Sequence, residues 1–277
     1  MNPDSLAPLR ARFIVFTFAR TVLNTGFRLV CPFISTFARA LGVDVEAIAL
    51  AVPARSALGL SGPFLGNLGD SIGRKRAMLF GLSLFSLGFT LVLLLPSYPS
   101  LFMALLLGAA GKIIFDPAMQ AHLGDQVVYH RRSTAIALTE IGWSAASVLG
   151  LPLVGWFIAR QGWVSPFPLL ALMMLICIIL LWRVVPDDTL SPGSRTTLRS
   201  AWITILNYPP AIAALATSLL ISTGNESINI VYGLWLEGSF GLQVVALGAA
   251  SSVIGFAELS GEGLVATLTD RLGKTCL

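Results

Sequence analysis

Apolar residues along this chain come in long unbroken stretches, separated by polar interruptions of only a few residues. A helix rising 1.5 Å per residue needs roughly 20 residues to cross a hydrocarbon layer about 30 Å thick. On that ruler the pattern predicts eight helical spans, at about 13–36, 46–67, 77–96, 99–122, 133–158, 166–183, 210–233 and 243–265. The runs are too long and too uniformly apolar for the alternating strands of a membrane barrel, so the predicted fold class is an all-α membrane protein. One long polar break, VVPDDTLSPGSRTTLRSAWITILNY at 184–208, has the Pro, Asp, Ser, Gly and Thr content of a linker. The predicted organisation is a six-helix bundle over 1–183, a linker over 184–209 and two further spans over 210–277.

The last two spans repeat features of the first two. Leu-Gly-Val-Asp-Val at 41–45 matches Phe-Gly-Leu-Gln-Val at 240–244, and Leu60-Ser61-Gly62 matches Leu259-Ser260-Gly261. Asp70-Ser71-Ile72-Gly73-Arg74 matches Asp270-Arg271-Leu272-Gly273-Lys274. Three matches in order, at offsets of 199, 199 and 200, point to a duplicated architecture.

Charge sharpens this picture. Only 12% of residues are charged, about half the share of soluble domains, which is what a lipid-facing surface requires. The net charge of +4 does not mark a nucleic-acid partner, because the basic residues cluster in the connections between spans. Arg10, Arg12, Arg74, Lys75, Arg76, Arg131, Arg132, Arg183, Arg195, Arg199, Arg271 and Lys274 fall on one side of the predicted topology; Arg39 and Arg160 fall on the other. That bias predicts a multi-pass protein of the cytoplasmic membrane with its N-terminus in the cytoplasm. Cys31, Cys177 and Cys276 are far apart, and His122 and His130 flank one polar loop, so neither a disulfide framework nor a metal site is expected. No nucleophile elbow, phosphate-binding glycine loop or Walker lysine occurs, so the expectation is a protein that is not an enzyme and carries no cofactor.

Ionisable groups inside lipid spans are costly and face the bundle interior. Arg20, Asn24 and Arg28 are spaced by four, which keeps them within an arc of about 80° on one helix face. Arg55 lies midway along span 2, Lys112 and Asp116 are one turn apart in span 4, and Glu140 is in span 5. Glu226 is in span 7, while Glu258 and Glu262 share a face of span 8. Arg20, Lys112, Asp116 and Glu140 are expected to form one buried polar network beside a central cavity, although the Lys112–Asp116 pair alone also reads as a helix staple. Glu258 and Glu262 are expected to contact further helices, with proton coupling as the alternative use. His122, Asp125, His130, Arg131 and Arg132 are read as a solvated loop. Trp143, Trp156, Trp163, Trp202 and Trp235 are read as interfacial anchors.

Spans 2 and 3 are joined by Gly66-Asn67-Leu68-Gly69-Asp70-Ser71-Ile72-Gly73-Arg74-Lys75-Arg76. Gly66 and Gly69 let helices approach closely. Asp70 and Gly73 suit a short turn, and the carboxylate is expected to satisfy amides of the next helix and to pair with a nearby arginine. The segment resembles the G-x-L-x-D-x-x-G-R-[KR] signature of the major facilitator superfamily. A weaker copy ends in Asp270, Gly273 and Lys274, with Ala266 for the first glycine and Thr275 for a basic residue. The resemblance implies two six-helix halves rocking about a central solute site, with Gly66, Gly69, Asp70, Gly73, Arg74, Lys75, Asp270 and Gly273 as gating positions. It also implies a small-molecule substrate and membrane lipids as surroundings, with a carrier that is either coupled to protons or passive. Gly142 and Gly150-Leu151-Pro152-Leu153-Val154-Gly155 in span 5 resemble the glycine- and proline-rich pattern of drug–proton antiporters, with Trp156 in place of the last glycine; this implies an efflux carrier. Against that family the chain reads as truncated after its eighth span. The expectation for the chain alone is little transport, and the rival reading is a non-transporting protein on the same scaffold.

Overall fold

The computed structural model describes residues 6–127, 132–187 and 206–272, and among them it contains helices and no strands. The first span is α1 (Leu6–Arg28), a 3-10 turn at Cys31–Phe33 and α2 (Ile34–Leu41). Pro32, which has no amide to donate, stands at the start of that turn and interrupts the helix. α3 (Val45–Ala57), α4 (Gly62–Leu65) and α5 (Leu68–Ile72) make the second span. α6 (Arg74–Leu94) and α7 (Tyr98–Gln126) are continuous, and α7 opens on a capping box formed by Ser97 and Ser100. α8 (Arg132–Ala145) and α9 (Leu151–Gln161) form one span interrupted by a π-turn at Ala146–Gly150. α10 (Pro166–Val184), α11 (Pro209–Phe240) and α12 (Val244–Leu272) complete the described chain.

Seven of these segments are long and apolar enough to cross a membrane, against eight expected. The predicted span at 210–233 folds as the 32-residue α11, but its polar run STGNES at 222–227 lowers its hydropathy. Helices also outrun the predicted spans: α7 reaches Gln126 and α11 reaches Phe240. Hydropathy marks the lipid-crossing part of a helix, not its end, so His122, Asp125 and Glu237 belong to helices rather than to loops. The predicted linker falls largely on residues outside the described ones, as do His130, Arg131, Gly273 and Lys274.

The internal repeat is visible in the backbone. α2 ends at Leu41 and α11 at Phe240, and α3 and α12 start at Val45 and Val244, each pair 199 residues apart. Gly42 and Gly241 close the two helices with the same left-handed φ of 65°, a conformation glycine adopts without a Cβ clash.

The core is aromatic and close-packed. Phe85 stacks on Phe89 at 4.1 Å, and Phe89 meets Phe167 of α10 at 5.3 Å. α6 and α7 cross at Gly81 and Gly111, where a Cβ on either glycine would lie 2.6 or 2.4 Å from the other's carbonyl oxygen. Helices in lipid associate through such backbone contact. Gly111→Leu is therefore expected to destabilise by about 1–3 kcal/mol and to lower the thermal midpoint in detergent. Gly124→Leu on the same helix, with nothing within 4 Å, is expected to leave it unchanged or slightly higher.

α12 lies along α8, the π-turn and α9, with Gly248 against Leu151 and Gly155, and Gly255 against Ser147 and Val148. α11 touches the first span at one end only. Gly233 abuts the carbonyls of Cys31 and Pro32, whereas residues 212–225 are exposed.

Candidate functional site

α1 presents Arg20, Asn24 and Arg28 on its buried face, at 4%, 0% and 6% exposure. Their four-residue spacing puts each opposite a different partner. Arg20 pairs with Glu140 of α8 at 2.5 Å and reaches Asp116 of α7 with Nε at 3.5 Å. Lys112 donates to Asp116 at 2.6 Å and to the side-chain oxygen of Asn24 at 2.7 Å. The structure thus brings Arg20, Lys112, Asp116 and Glu140 together in one network with Asn24. The Lys112–Asp116 pair is a link between α1 and α7 as well as a staple within α7.

The next layer joins the first six spans to the last two. Arg28 donates to both carboxylate oxygens of Glu258 on α12, at 3.0 and 3.2 Å, and its guanidinium lies 4.7 Å from the centre of the Trp143 ring. The Trp143 indole donates to the same carboxylate at 2.9 Å, and the Ser147 hydroxyl at 3.3 Å. Glu258, expected to contact further helices, is engaged within the described ones. It faces α1 and α8, because Gly255, three residues earlier, lets α12 settle against the π-turn. Trp143 is not an interfacial anchor either: it stands beside Arg28, and sequence position alone did not show which way it faces.

Arg55 on α3 is 2% exposed. It donates to the Phe27 carbonyl, lies 3.9 Å over the Phe27 ring, and pairs with Glu226 of α11 at 3.6 Å. Glu226 belongs to the polar run that makes α11 less apolar than the other spans. Between these two pairs lies a cavity of about 10 Å³, bordered by Arg28, Arg55, Trp143, Glu226, Asn229 and Tyr232, room on the order of one water. Tyr232 in turn shares a hydrogen bond with Ser251 at 2.6 Å. The aromatic and amide members of this wall were missed from sequence, since each reads there as an ordinary span residue.

A third contact closes one end of the same seam. Arg39 donates to Glu237 at 2.7 Å, and the Ser35 hydroxyl also donates to that carboxylate. Burial pushes the Glu237 carboxyl up, but these two hydrogen bonds and the Arg39 charge outweigh it and hold the group below the ordinary carboxylate range.

The motif between spans 2 and 3 sits at the opposite end. Gly66 and Gly69 face Pro117 and Ala118 of α7, with a Cβ on Gly69 only 3.3 Å from that of Ala118. Gly73, at φ 95° and ψ 144°, turns the chain into α6. Arg74 of the motif donates to the Ala121 carbonyl at 2.7 Å and pairs with Asp125. Arg74 opens α6 beside the last turn of α7, which carries Asp125, whereas Asp70 is exposed on α5. Lys75 pairs with Asp187 beyond α10 at 3.0 Å. His122, expected in a solvated loop, is 3% exposed and packs edge-on against Phe16. Asp270 falls on the backbone of α12, and Gly273 lies outside the described residues. Among the described residues no cluster of three His, Cys, Asp or Glu could hold a metal ion.

Known proteins resemble this chain in sequence and in fold. The chain is 26% identical to an uncharacterized MFS-type transporter, YceJ, of Bacillus subtilis over 75% of its own length and 53% of that protein's. It is 27% identical to the multidrug resistance protein MdtG of Salmonella paratyphi B, over 99% of this chain and 70% of MdtG, and 25% identical to the MdtG of Proteus mirabilis, over 90% and 65%. The chain thus spans about half to two thirds of the length of most of these relatives. A bacterial homologue of the human lysosomal transporter Spinster, solved in an inward-facing and unoccupied conformation, superposes with a TM-score of 0.71 at 15% identity, covering 98% of this chain and 64% of that one. A peptide transporter POT superposes over 78% of this chain with a TM-score of 0.57. The family model of the Major Facilitator Superfamily matches residues 16–277, and the chain belongs to that superfamily of membrane transporters.

Proposed function

We propose that the chain is a carrier for a small solute, working by alternating access in the cytoplasmic membrane and moving the solute outward in exchange for protons. The observation that carries this reading is the pair of ionic contacts across one seam, Arg28–Glu258 and Arg55–Glu226, in which a buried arginine meets a half-buried glutamate. Charges this deep in a membrane bundle mark a solute or ion path. Contacts that form only when two helix groups meet give the protein two arrangements, one closed at that level and one with both charges open to water. The glutamates are the titratable members, because a guanidinium does not lose its proton. Glu258 faces Arg28 on α1 and Trp143 and Ser147 beside the π-turn, with Glu262 one turn further along its own helix. A proton on Glu258 removes the ionic partner of Arg28 and loosens the seam. The outward direction rests on the likeness to the MdtG multidrug resistance proteins and on the glycine-rich fifth span. By the positive-charge bias, the N-terminus and the 66–76 motif lie on the cytoplasmic side.

Spin labels at Ala40→Cys and Gly238→Cys, both exposed beside the Arg39–Glu237 contact, test the motion without any ligand. The expected result in lipid vesicles is two distance populations whose ratio changes with pH and shifts in Glu258→Gln. One distance, insensitive to both, would overturn the carrier reading.

A further inference from the structure

We propose that the seam takes a dipolar organic solute, one carrying both an anionic and a cationic group on a small apolar or aromatic body; this rests on the carrier reading above. Charge is sorted by side across the seam. The groups that α1 and α3 bring to it are the arginines Arg28 and Arg55, and those from α11 and α12 are the glutamates Glu226 and Glu258. The sorting extends along the whole segment 206–264, which holds Glu226, Glu237, Glu258 and Glu262 and not one Lys, Arg or His. When the seam opens, one wall is therefore positive and the other negative.

In the closed arrangement the cavity beside these ion pairs is about 10 Å³, too small for a solute, so a solute fits at this place when the ion pairs part. Arg28 and Arg55 are 6% and 2% exposed, and a buried guanidinium needs an anion because it stays charged. A cation alone satisfies the glutamates and strands the arginines. An anion alone does the reverse. A dipolar solute meets both walls: its carboxylate takes the place of Glu258 on Arg28, and its ammonium takes the place of Arg28 on Glu258. The rings of Phe27, Trp143 and Tyr232 border the same space and suit an apolar body. The solute's ammonium and a proton then compete for one carboxylate, which links binding to proton exchange.

Three probes with closely similar bodies test this at pH 7: zwitterionic phenylalanine, anionic 3-phenylpropanoate and cationic phenethylammonium. Each is titrated calorimetrically into the full chain in lipid nanodiscs. Phenylalanine is expected to bind at least tenfold tighter than either singly charged probe. Arg28→Gln should abolish its advantage over phenethylammonium, and Glu258→Gln its advantage over 3-phenylpropanoate. Should either variant fail to fold, the exchanged pair R28E/E258R keeps an ionic contact and should keep the preference for phenylalanine. A singly charged probe binding as tightly as phenylalanine, or no binding by any of the three at millimolar concentration, overturns the proposal. The spin-label distances then separate the two failures: two populations leave the carrier reading standing, and a single one removes both.

Discussion

Arg20→Met is expected to destabilise the protein by about 3 kcal/mol, near the low end of the usual cost of breaking a buried ion pair. Arg20 is 4% exposed and stands between two carboxylates on different helices. Removing it leaves Lys112 as the cation of the network, against both Asp116 and Glu140. Lys112 already serves Asp116 at 2.6 Å, so Glu140 is the group left without a partner. The Glu140 side chain is 32% exposed, and the water that reaches it keeps the loss from being larger. The double variant R20M/E140Q removes the stranded charge and is expected to recover most of the stability, to within about 1 kcal/mol of the parent. Thermal or denaturant unfolding in detergent gives both numbers. Equal losses in the single and double variants would mean that the carboxylate is not what Arg20 holds.

The two variants probe a part of the site that the sequence already exposed. An ionisable residue in an apolar run announces itself, and four-residue spacing puts Arg20, Asn24 and Arg28 on one face without any knowledge of the neighbours. The pair Lys112–Asp116 was readable for the same reason. What pattern could not supply was the partner in another helix. Arg28 and Glu258 are 230 residues apart, and nothing local at either residue names the other. Trp143 shows the second limit. In a soluble helix the apolar face is the buried one, but in lipid both the outward and the inward faces are apolar. The indole that supports Glu258 is therefore indistinguishable by hydropathy from one at the membrane surface. His122 and Asp125 show the third. Helix α7 continues as far as Gln126, past the span that hydropathy marks, so a polar residue at a span boundary reads as loop while its helix carries it into the packed end of the bundle. That is also why Asp125 is within reach of Arg74.

The close approach at Gly66 and Gly69 was legible from the motif that holds them, whereas the glycine contacts of α12 were not, and one of those carries the second large effect. Gly255→Leu is expected to lift α12 from the π-turn and separate Glu258 from Arg28. A Cβ at 255 would lie 2.7 Å from the side chains of Ser147 and Val148 and 2.9 Å from the Val148 amide nitrogen. The side chains can move, but the amide belongs to a backbone held between α8 and α9. Overpacking alone costs about 1–3 kcal/mol. If Glu258 follows, Arg28 loses its carboxylate, and the loss rises towards the about 3–5 kcal/mol of a broken buried pair. Helix propensity works in the opposite direction, since leucine is favoured over glycine by just under about 1 kcal/mol. Gly261→Leu on the same helix, where nothing lies within 4 Å, isolates that gain and should leave the protein as stable or slightly more so. The contact itself is read from Trp143, whose emission should shift in Gly255→Leu when the Glu258 carboxylate leaves its indole nitrogen, and should not change in the Trp143→Phe background. If the midpoint and the Trp143 emission both stay put in Gly255→Leu, α12 does not rest on the π-turn, and the seam between the first six spans and the last two is not closed by Glu258.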